Sequence, residues 1–411
     1  MQHKFTAYQL RLFVFLGVAS LFEGYDFFAL TQILPNLRAE MGIDQRGGGV
    51  LVTFINLGTL IAYLLVRKAD RWGRRRVLTV TIAGYAVFTG LSGLAPNVIV
   101  FAILQMLARI FLIAEWATSM VIAAEEFPAA RRGMVIGVIT AMASLGSIVC
   151  AGVVPLLLKT EYGWRSVYFV GVIPLVVLAY ARRGLRETER FTAQIQELPA
   201  GTRAAESRSL FEIMRTPHRR RVLELGLIWF ITYICTQNGI TFWKEFALAE
   251  RGFTDADVGQ AIGLAALVSM PLVFLAGKLL DVIGRKPGAA LIFGATSIGV
   301  FGCYTLHGKW PLTFMLILGI FGTSSVLPVL NAFTTELFPT EYRGDAFAWS
   351  NNLLGRVGYV LSPLAVGFAA KSVGWGPAVA TTALAPLIAL ACIFWLLPET
   401  RGKELEDISP V

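Results

Sequence analysis

Apolar residues dominate twelve long blocks of the chain, at 9–36, 47–66, 77–95, 98–124, 134–158, 166–181, 222–246, 258–280, 288–306, 311–338, 345–370 and 377–397. Most approach the ~20 residues that carry a helix across the hydrocarbon core of a bilayer. Lipid satisfies no backbone N–H or C=O, so runs of this length predict helices. Apolar and polar positions do not alternate with period two, which excludes a membrane barrel. An even number of crossings puts both termini on one side. The one long polar stretch, 182–221, holds ten arginines and several glutamates and separates six predicted helices from six. The pattern therefore predicts an N-terminal six-helix bundle over 1–181 and a cytosolic linker over 182–221. A C-terminal six-helix bundle with a short cytosolic tail follows over 222–411. An amphipathic surface helix is expected within Phe191–Arg221.

The short polar segments between blocks repeat. Gly277-Lys-Leu-Leu-Asp281-Val-Ile-Gly284-Arg285-Lys286 is echoed by Asp70-Arg71-Trp-Gly73-Arg74-Arg75-Arg76, with Asp70/Asp281 and Gly73/Gly284 both offset by 211. Glu125-Glu-Phe-Pro128-Ala-Ala-Arg-Arg132-Gly133 matches Glu336-Leu-Phe-Pro339-Thr-Glu-Tyr-Arg343-Gly344 at the same offset, as does Gly163-Trp164 with Gly374-Trp375. A constant offset marks an internal duplication. Both copies run in the same sense, so the predicted fold is an all-α polytopic membrane protein of twelve transmembrane helices in two parallel six-helix repeats.

Composition agrees with a membrane protein, at 55% hydrophobic and 15% charged residues, and adds a net charge of +9. Such a balance suits nucleic acid or an anionic membrane surface. Its distribution decides: 26 of the 36 Lys and Arg fall at the termini and on the loops of the same side, and eight on the opposite loops. The positive-inside rule then places both termini in the cytoplasm of a cell (inner) membrane protein, with no nucleic-acid partner. The four cysteines lie in apolar runs without motif spacing, and His3, His218 and His307 lie outside the spans, so no metal site is expected. No phosphate-binding loop or nucleophile elbow occurs. Neither an enzyme, nor an ATP-driven pump, nor a cofactor is indicated.

These paired motifs resemble the major facilitator superfamily, over essentially the whole chain. Phe338-Pro339-x-x-x-Arg343-Gly344 and Leu397-Pro398-Glu399-Thr400-x-Gly402 resemble the branch that holds sugar porters, aromatic-acid/proton symporters and organic-ion transporters. Glu23-Gly24-Tyr25-Asp26 resembles the helix-1 signature of the aromatic-acid symporters. The chain departs from the family pattern at Val66, where a glycine is usual, and helix 4 lacks the glycine-rich stretch usual in sugar porters. The resemblance implies a cytosolic gate. Its members here are Asp70, Arg71, Gly73, Arg74, Glu125 and Arg132 in the first repeat, and Gly277, Asp281, Gly284, Arg285, Glu336 and Arg343 in the second. Asp70 is implied to meet the start of helix 11 near Asp345–Ala346, and Asp281 the start of helix 5 near Met134. Glu125 and Glu336 are expected to pair with the arginines of this layer, among them Arg132 and Arg343.

The charges inside the spans do not repeat. At the 211 offset Asp26 faces Gln237, Arg109 faces Ile320, Glu115 faces Val326, and Arg356 answers to Leu145. A charge at bilayer depth costs ~2.5 kcal/mol or more on insertion scales and usually marks a cavity or a partner. Asp26, Arg109 and Arg356 lie near the middle of their spans, the depth at which transporters of this architecture bind substrate. Glu23 and Asp26 are three residues apart and share a helix face. They are the candidate proton carriers, with Arg109 tuning them; a plain structural pair of Asp26 with Arg109 is the alternative. Arg356 bears a permanent planar cation that suits a carboxylate, and the resemblance also favours an anion at this helix-11 position. Tyr25, Glu115, Trp116, Gln237, Asn238 and Asn352 complete the candidate substrate site. The expectation is a monomeric secondary transporter, surrounded by membrane lipid. It imports a small organic anion, an aromatic acid included, with protons by alternating access. A sugar or polyol symporter, a drug/proton antiporter and a non-transporting membrane sensor are the alternatives.

Overall fold

A computed structural model describes residues 5–66, 72–181, 211–339 and 342–400, without the side chains of 129–130, 132–133, 174–181, 274, 277 and 281. Asp70, Arg71 and the predicted linker up to residue 210 lie outside the described residues, as do the side chains of Arg132 and Asp281.

Among the described residues the fold is helical throughout, with no strand. The first repeat comprises α1 (Ala7–Met41), α2 (Gln45–Val66), α3 (Arg74–Ser92), α4 (Val98–Glu126), α5 (Ala129–Leu157) and α6 (Arg165–Ala181). The second comprises α7 (Arg219–Thr241), α8 (Trp243–Arg251), α9 (Asp255–Ile283), α10 (Arg285–Thr305), α11 (Lys309–Glu336), α12 (Arg343–Phe347), α13 (Arg356–Val373), α14 (Trp375–Ala380) and α15 (Leu384–Leu396). Among the described residues nine spans are long and apolar enough to cross a membrane, and the bent pair α7–α8 supplies a tenth. The α3 helix, opening on three arginines, and α6, at 17 residues, complete the twelve predicted blocks.

Local chemistry sets the helix ends. Asn97 accepts from the amide of Val100 at the start of α4, and Thr254 with Asp257 forms a reciprocal capping box at the start of α9. Gly73 and Gly284 precede α3 and α10 with φ of 94° and 106°, values a side chain would strain. The helices overrun the predicted blocks at most ends because polar residues such as Arg38 continue the helix past the apolar stretch.

Three spans depart from regular helices. The seventh bends by 50° at Phe242, between α7 and α8. The eleventh contains a π-helical segment, Ala348–Gly355, between α12 and α13, and the twelfth a 3-10 turn at Thr381–Ala383.

The chain packs as two compact units, Met1–Leu37 with Phe54–Ser207 and Arg38–Thr53 with Arg208–Val411. Division by packing departs from the division by repeat at residues 38–53, the turn between α1 and α2, which joins the second unit. There Arg38 Nη1 lies 2.6 Å from Glu245 Oε2, and Lys371 Nζ 2.7 Å from Asp44 Oδ2. The core of the first unit gathers Leu16, Tyr85, Leu112 and Val135, and that of the second Trp229, Phe293, Leu330 and Phe333.

Candidate functional site

In the first unit the site is built on α1. A Cβ on Gly24 would lie 1.8 Å from the carbonyl oxygen of Ala143 in α5, so the two backbones touch here. Ser147 Oγ donates to the Gly24 carbonyl at 3.1 Å, and the Tyr25 hydroxyl to the Val167 carbonyl of α6 at 3.3 Å. Tyr25 is thus an anchor holding α1 to α6. With the rotation of α1 fixed, Glu23 and Asp26 are both buried. Both carboxylate oxygens of Glu23 and Oδ1 of Asp26 have no hydrogen-bond partner. Arg109 of α4 and Tyr85 of α3 are the groups whose charge and hydroxyl act on Asp26. The guanidinium of Arg109 lies over the Phe27 ring, 4.4 Å from its centroid, and its Nη1 is buried without an acceptor. A close Asp26–Arg109 ion pair is therefore not formed among the described residues; an aromatic face takes up the cation instead. Farther along α4, Glu115 is buried and accepts from Ser119 Oγ at 3.0 Å, while Trp116 is 41% exposed.

The second unit carries a separate cluster. Arg356 opens α13, directly after the π-helical segment. A Cβ on Gly355 would lie 2.6 Å from that of Trp229, and one on Gly358 2.3 Å from the Phe230 carbonyl oxygen, so α13 is pressed onto α7 on both sides of Arg356. Tyr233 donates to Asn351 Oδ1 at 2.8 Å and feels the charge of Arg356. The Tyr359 ring meets Tyr233 edge-on at 5.5 Å, and Trp229 lies 5.4 Å from Tyr233. Arg356 Nε is buried without a partner, and no carboxylate of its unit pairs with it among the described residues. Gln237 and Asn238 are buried on α7; the Asn238 amide donates back to the Ile234 carbonyl at 2.7 Å, and its Oδ1 has no partner. Asn352 is half-buried in the π segment. Sequence reasoning missed Tyr85 and the π segment as parts of the site. Insertions of this kind often lie at functional positions, and the pair Asn351-Asn352 inside an apolar helix was the available signal.

The duplicated motifs repeat in space. Arg74 Nη2 lies 3.1 Å from Glu125 Oε1, joining α3 to α4, and Arg285 Nη2 lies 2.7 Å from Glu336 Oε1, joining α10 to α11. Glu399 reaches the amides of Arg285 and Lys286 at 2.9 and 2.8 Å, so a carboxylate caps the N-terminus of α10. Arg343 Nη2 approaches the Phe338 carbonyl at 3.5 Å. Both ion pairs lie within one unit, where they staple neighbouring helices. Gly277 and Asp281 fall on the last turns of α9.

Residues 16–363 match the family model described as Major Facilitator Superfamily. The chain belongs to that superfamily. It is similar to a metabolite transport protein of Haemophilus influenzae, 29% identical over 99% of this chain and 100% of the relative. It is also similar to the cis,cis-muconate transport protein of Acinetobacter baylyi, 28% identical over 89% of each chain. Among solved structures, the inward-open xylose transporter of E. coli superposes with a TM-score of 0.77 at 18% identity, covering 97% of this chain and 98% of that one. At that identity the likeness shows the fold alone. This Major Facilitator Superfamily protein is a multi-pass membrane transporter of a small-molecule solute, and not an enzyme.

Proposed function

We propose that this transporter couples uptake of a small organic anion, a carboxylate, to protons by alternating access. It acts as a monomer in the cell (inner) membrane, with both termini in the cytoplasm. The observation that carries the reading is that each unit has, among the described residues, ionic side-chain atoms buried without a hydrogen-bond partner. They are both carboxylate oxygens of Glu23 and Oδ1 of Asp26 in the first, and Nε of Arg356 in the second. Buried charges are normally paired, so unpaired ones suit species that come and go. Carboxylates exchange protons at biological pH, whereas guanidinium does not and binds a carboxylate through two parallel hydrogen bonds. The aromatic rings of Trp229, Tyr233 and Tyr359 beside Arg356 suit a planar acid. Relatives named as muconate and gallate transporters, the latter from Pseudomonas putida at 26% identity, support an organic acid.

Uptake of a labelled aromatic carboxylate into proteoliposomes with an inward-directed proton gradient tests the reading. Accumulation that collapses with a protonophore is expected. Uptake that ignores the protonophore removes proton coupling, and equal uptake of a neutral polyol removes the anion.

A further inference from the structure

A cavity of about 540 Å³ lies in the C-terminal unit between the end of α8, α10, α14 and the start of α15, and its lining includes none of the Arg356 cluster. Its size is in the ~300–1,000 Å³ range of small-molecule sites. Its lining combines Arg251, Thr305 and Thr381 with the apolar Phe301 and Leu384. On α10, Thr305 and Ser297 both line it, which makes the cleft about 12 Å long at helical rise. Phe301 and Leu384 are 55% and 60% exposed, and Ile298, Leu387 and Ile388 beside them are exposed as well. On helices that cross a membrane, such a face meets lipid tails.

Among the described residues, Arg251 of this lining has no ion-pair partner. Arg251 Nε donates to the Leu306 carbonyl at 2.9 Å and Nη1 to the Glu250 carbonyl at 3.0 Å, and its guanidinium lies 4.5 Å from the Phe246 centroid. These partners are dipoles and a ring; among the described residues no carboxylate forms an ion pair with Arg251. Glu250 also lines the cleft, but its carboxylate is taken up by amides: it accepts from the Trp375 amide and, at 3.1 Å, from the Gly376 amide, capping α14. A guanidinium free of carboxylate contact among the described residues, beside exposed apolar side chains, matches a phosphodiester joined to acyl chains.

We propose that this cleft is a phospholipid site, with the phosphate on Arg251 and an acyl chain between Phe301 and Leu384. With the termini in the cytoplasm, as proposed above, it faces the outer leaflet. The site touches the bend in the seventh span. Tyr304, which lines it, donates to the Gly239 carbonyl at 3.0 Å, just before the break at Phe242.

The test is native mass spectrometry of the delipidated full-length protein, titrated with phosphatidylglycerol or with dioleoylglycerol, which lacks the phosphate. One phosphatidylglycerol is expected to stay bound under activation that strips other lipid. Retention falls about tenfold in Arg251→Gln and in Thr381→Phe, an exposed position whose larger ring fills the cleft, and dioleoylglycerol is held about tenfold less. Lys371→Gln, a basic residue on the same side of the bundle and not part of the cleft, leaves retention unchanged. Unfolding temperatures measured without lipid show that the variants are folded. Equal retention in Arg251→Gln and Thr381→Phe, equal binding of dioleoylglycerol, or an equal loss in Lys371→Gln overturns the site. So does occupancy by detergent or by a second copy of the chain in place of phospholipid. The readout is binding alone, so it stands or falls separately from the transport reading.

Discussion

The ion pair Arg74–Glu125 in the first unit and Arg285–Glu336 in the second are copies of one device. Each follows a glycine of positive φ, each spans 51 residues, and each ties the start of one helix to the end of the next. The interior clusters are not copies. The first unit holds acids beside an arginine, and the second an arginine among tyrosines and asparagines. Duplication kept the fittings at the helix ends and let the interiors diverge. On the function proposed above, moving two halves alike needs like fittings, while binding a solute and a proton needs unlike groups. The helix-end pairs then concern how the helices are held, and the interior charges what is carried.

That contrast is strongest at Arg356. Arg356→Ala is expected to lower carboxylate uptake by about 100-fold, the loss of a charge-assisted, two-pronged contact, with partial recovery in Arg356→Lys. Near-normal uptake by the alanine variant, read in proteoliposomes, removes the anion site from α13. Asp26→Asn is expected to reduce accumulation against a gradient to simple equilibration while leaving solute counterflow, since exchange needs no net proton movement. If counterflow and accumulation vanish together, Asp26 serves binding or folding and not coupling.

The helix-end pairs predict a smaller and matched effect. Arg74→Ala and Arg285→Ala should each destabilise the protein by about 1–3 kcal/mol, as for hydrogen bonds to charged groups. Each loss should shrink in a background lacking Glu125 or Glu336, respectively. Thermal unfolding in detergent measures both cycles, and coupling in only one unit breaks the symmetry drawn here. The smallest effect belongs to Asp44, in the α1–α2 turn. The hydrogen bond from Lys371, helped by the Gly47 amide, holds its carboxyl below the ordinary carboxylate range. A depressed carboxyl stabilises above its unfolded pKa, and that contribution fades as pH falls through the lowered value. Asp44→Asn should thus lower the unfolding temperature slightly at neutral pH, since an exposed pair is screened by solvent. The difference from the parent protein closes in acid.

The spans, the duplication and the unduplicated charges were legible because each leaves a one-dimensional mark: a long apolar run, a fixed offset, a lone ionic residue at mid-span. Asp26, Arg109 and Arg356 stood out on that ground alone. The π segment at 348–355 was not legible, because an extra residue in a helical turn shifts the register without interrupting the apolar run. The bend at Phe242 has no proline to announce it. Tyr25 read as a site residue from its place in the helix-1 motif, but its hydroxyl direction depends on the distant Val167 carbonyl. Arg109 was expected to tune Asp26, with a plain ion pair as the alternative. Its charge acts on Asp26 while its guanidinium lies over the Phe27 ring, a placement that depends on the geometry of α4 against α1.

The placement of residues 38–53 with the second unit has a consequence for biosynthesis. Arg38 finds its carboxylate on Glu245, 207 residues later in the chain. At ribosomal speeds of ~5–20 residues per second, the turn between α1 and α2 waits about 10–40 s for that partner to be made. During this interval the first helices stand in the membrane with a charged tip unmatched, and a chain truncated before Trp243 never acquires the partner. The last stitches of the first hairpin are sewn by the second half of the polypeptide, so assembly of this end finishes late.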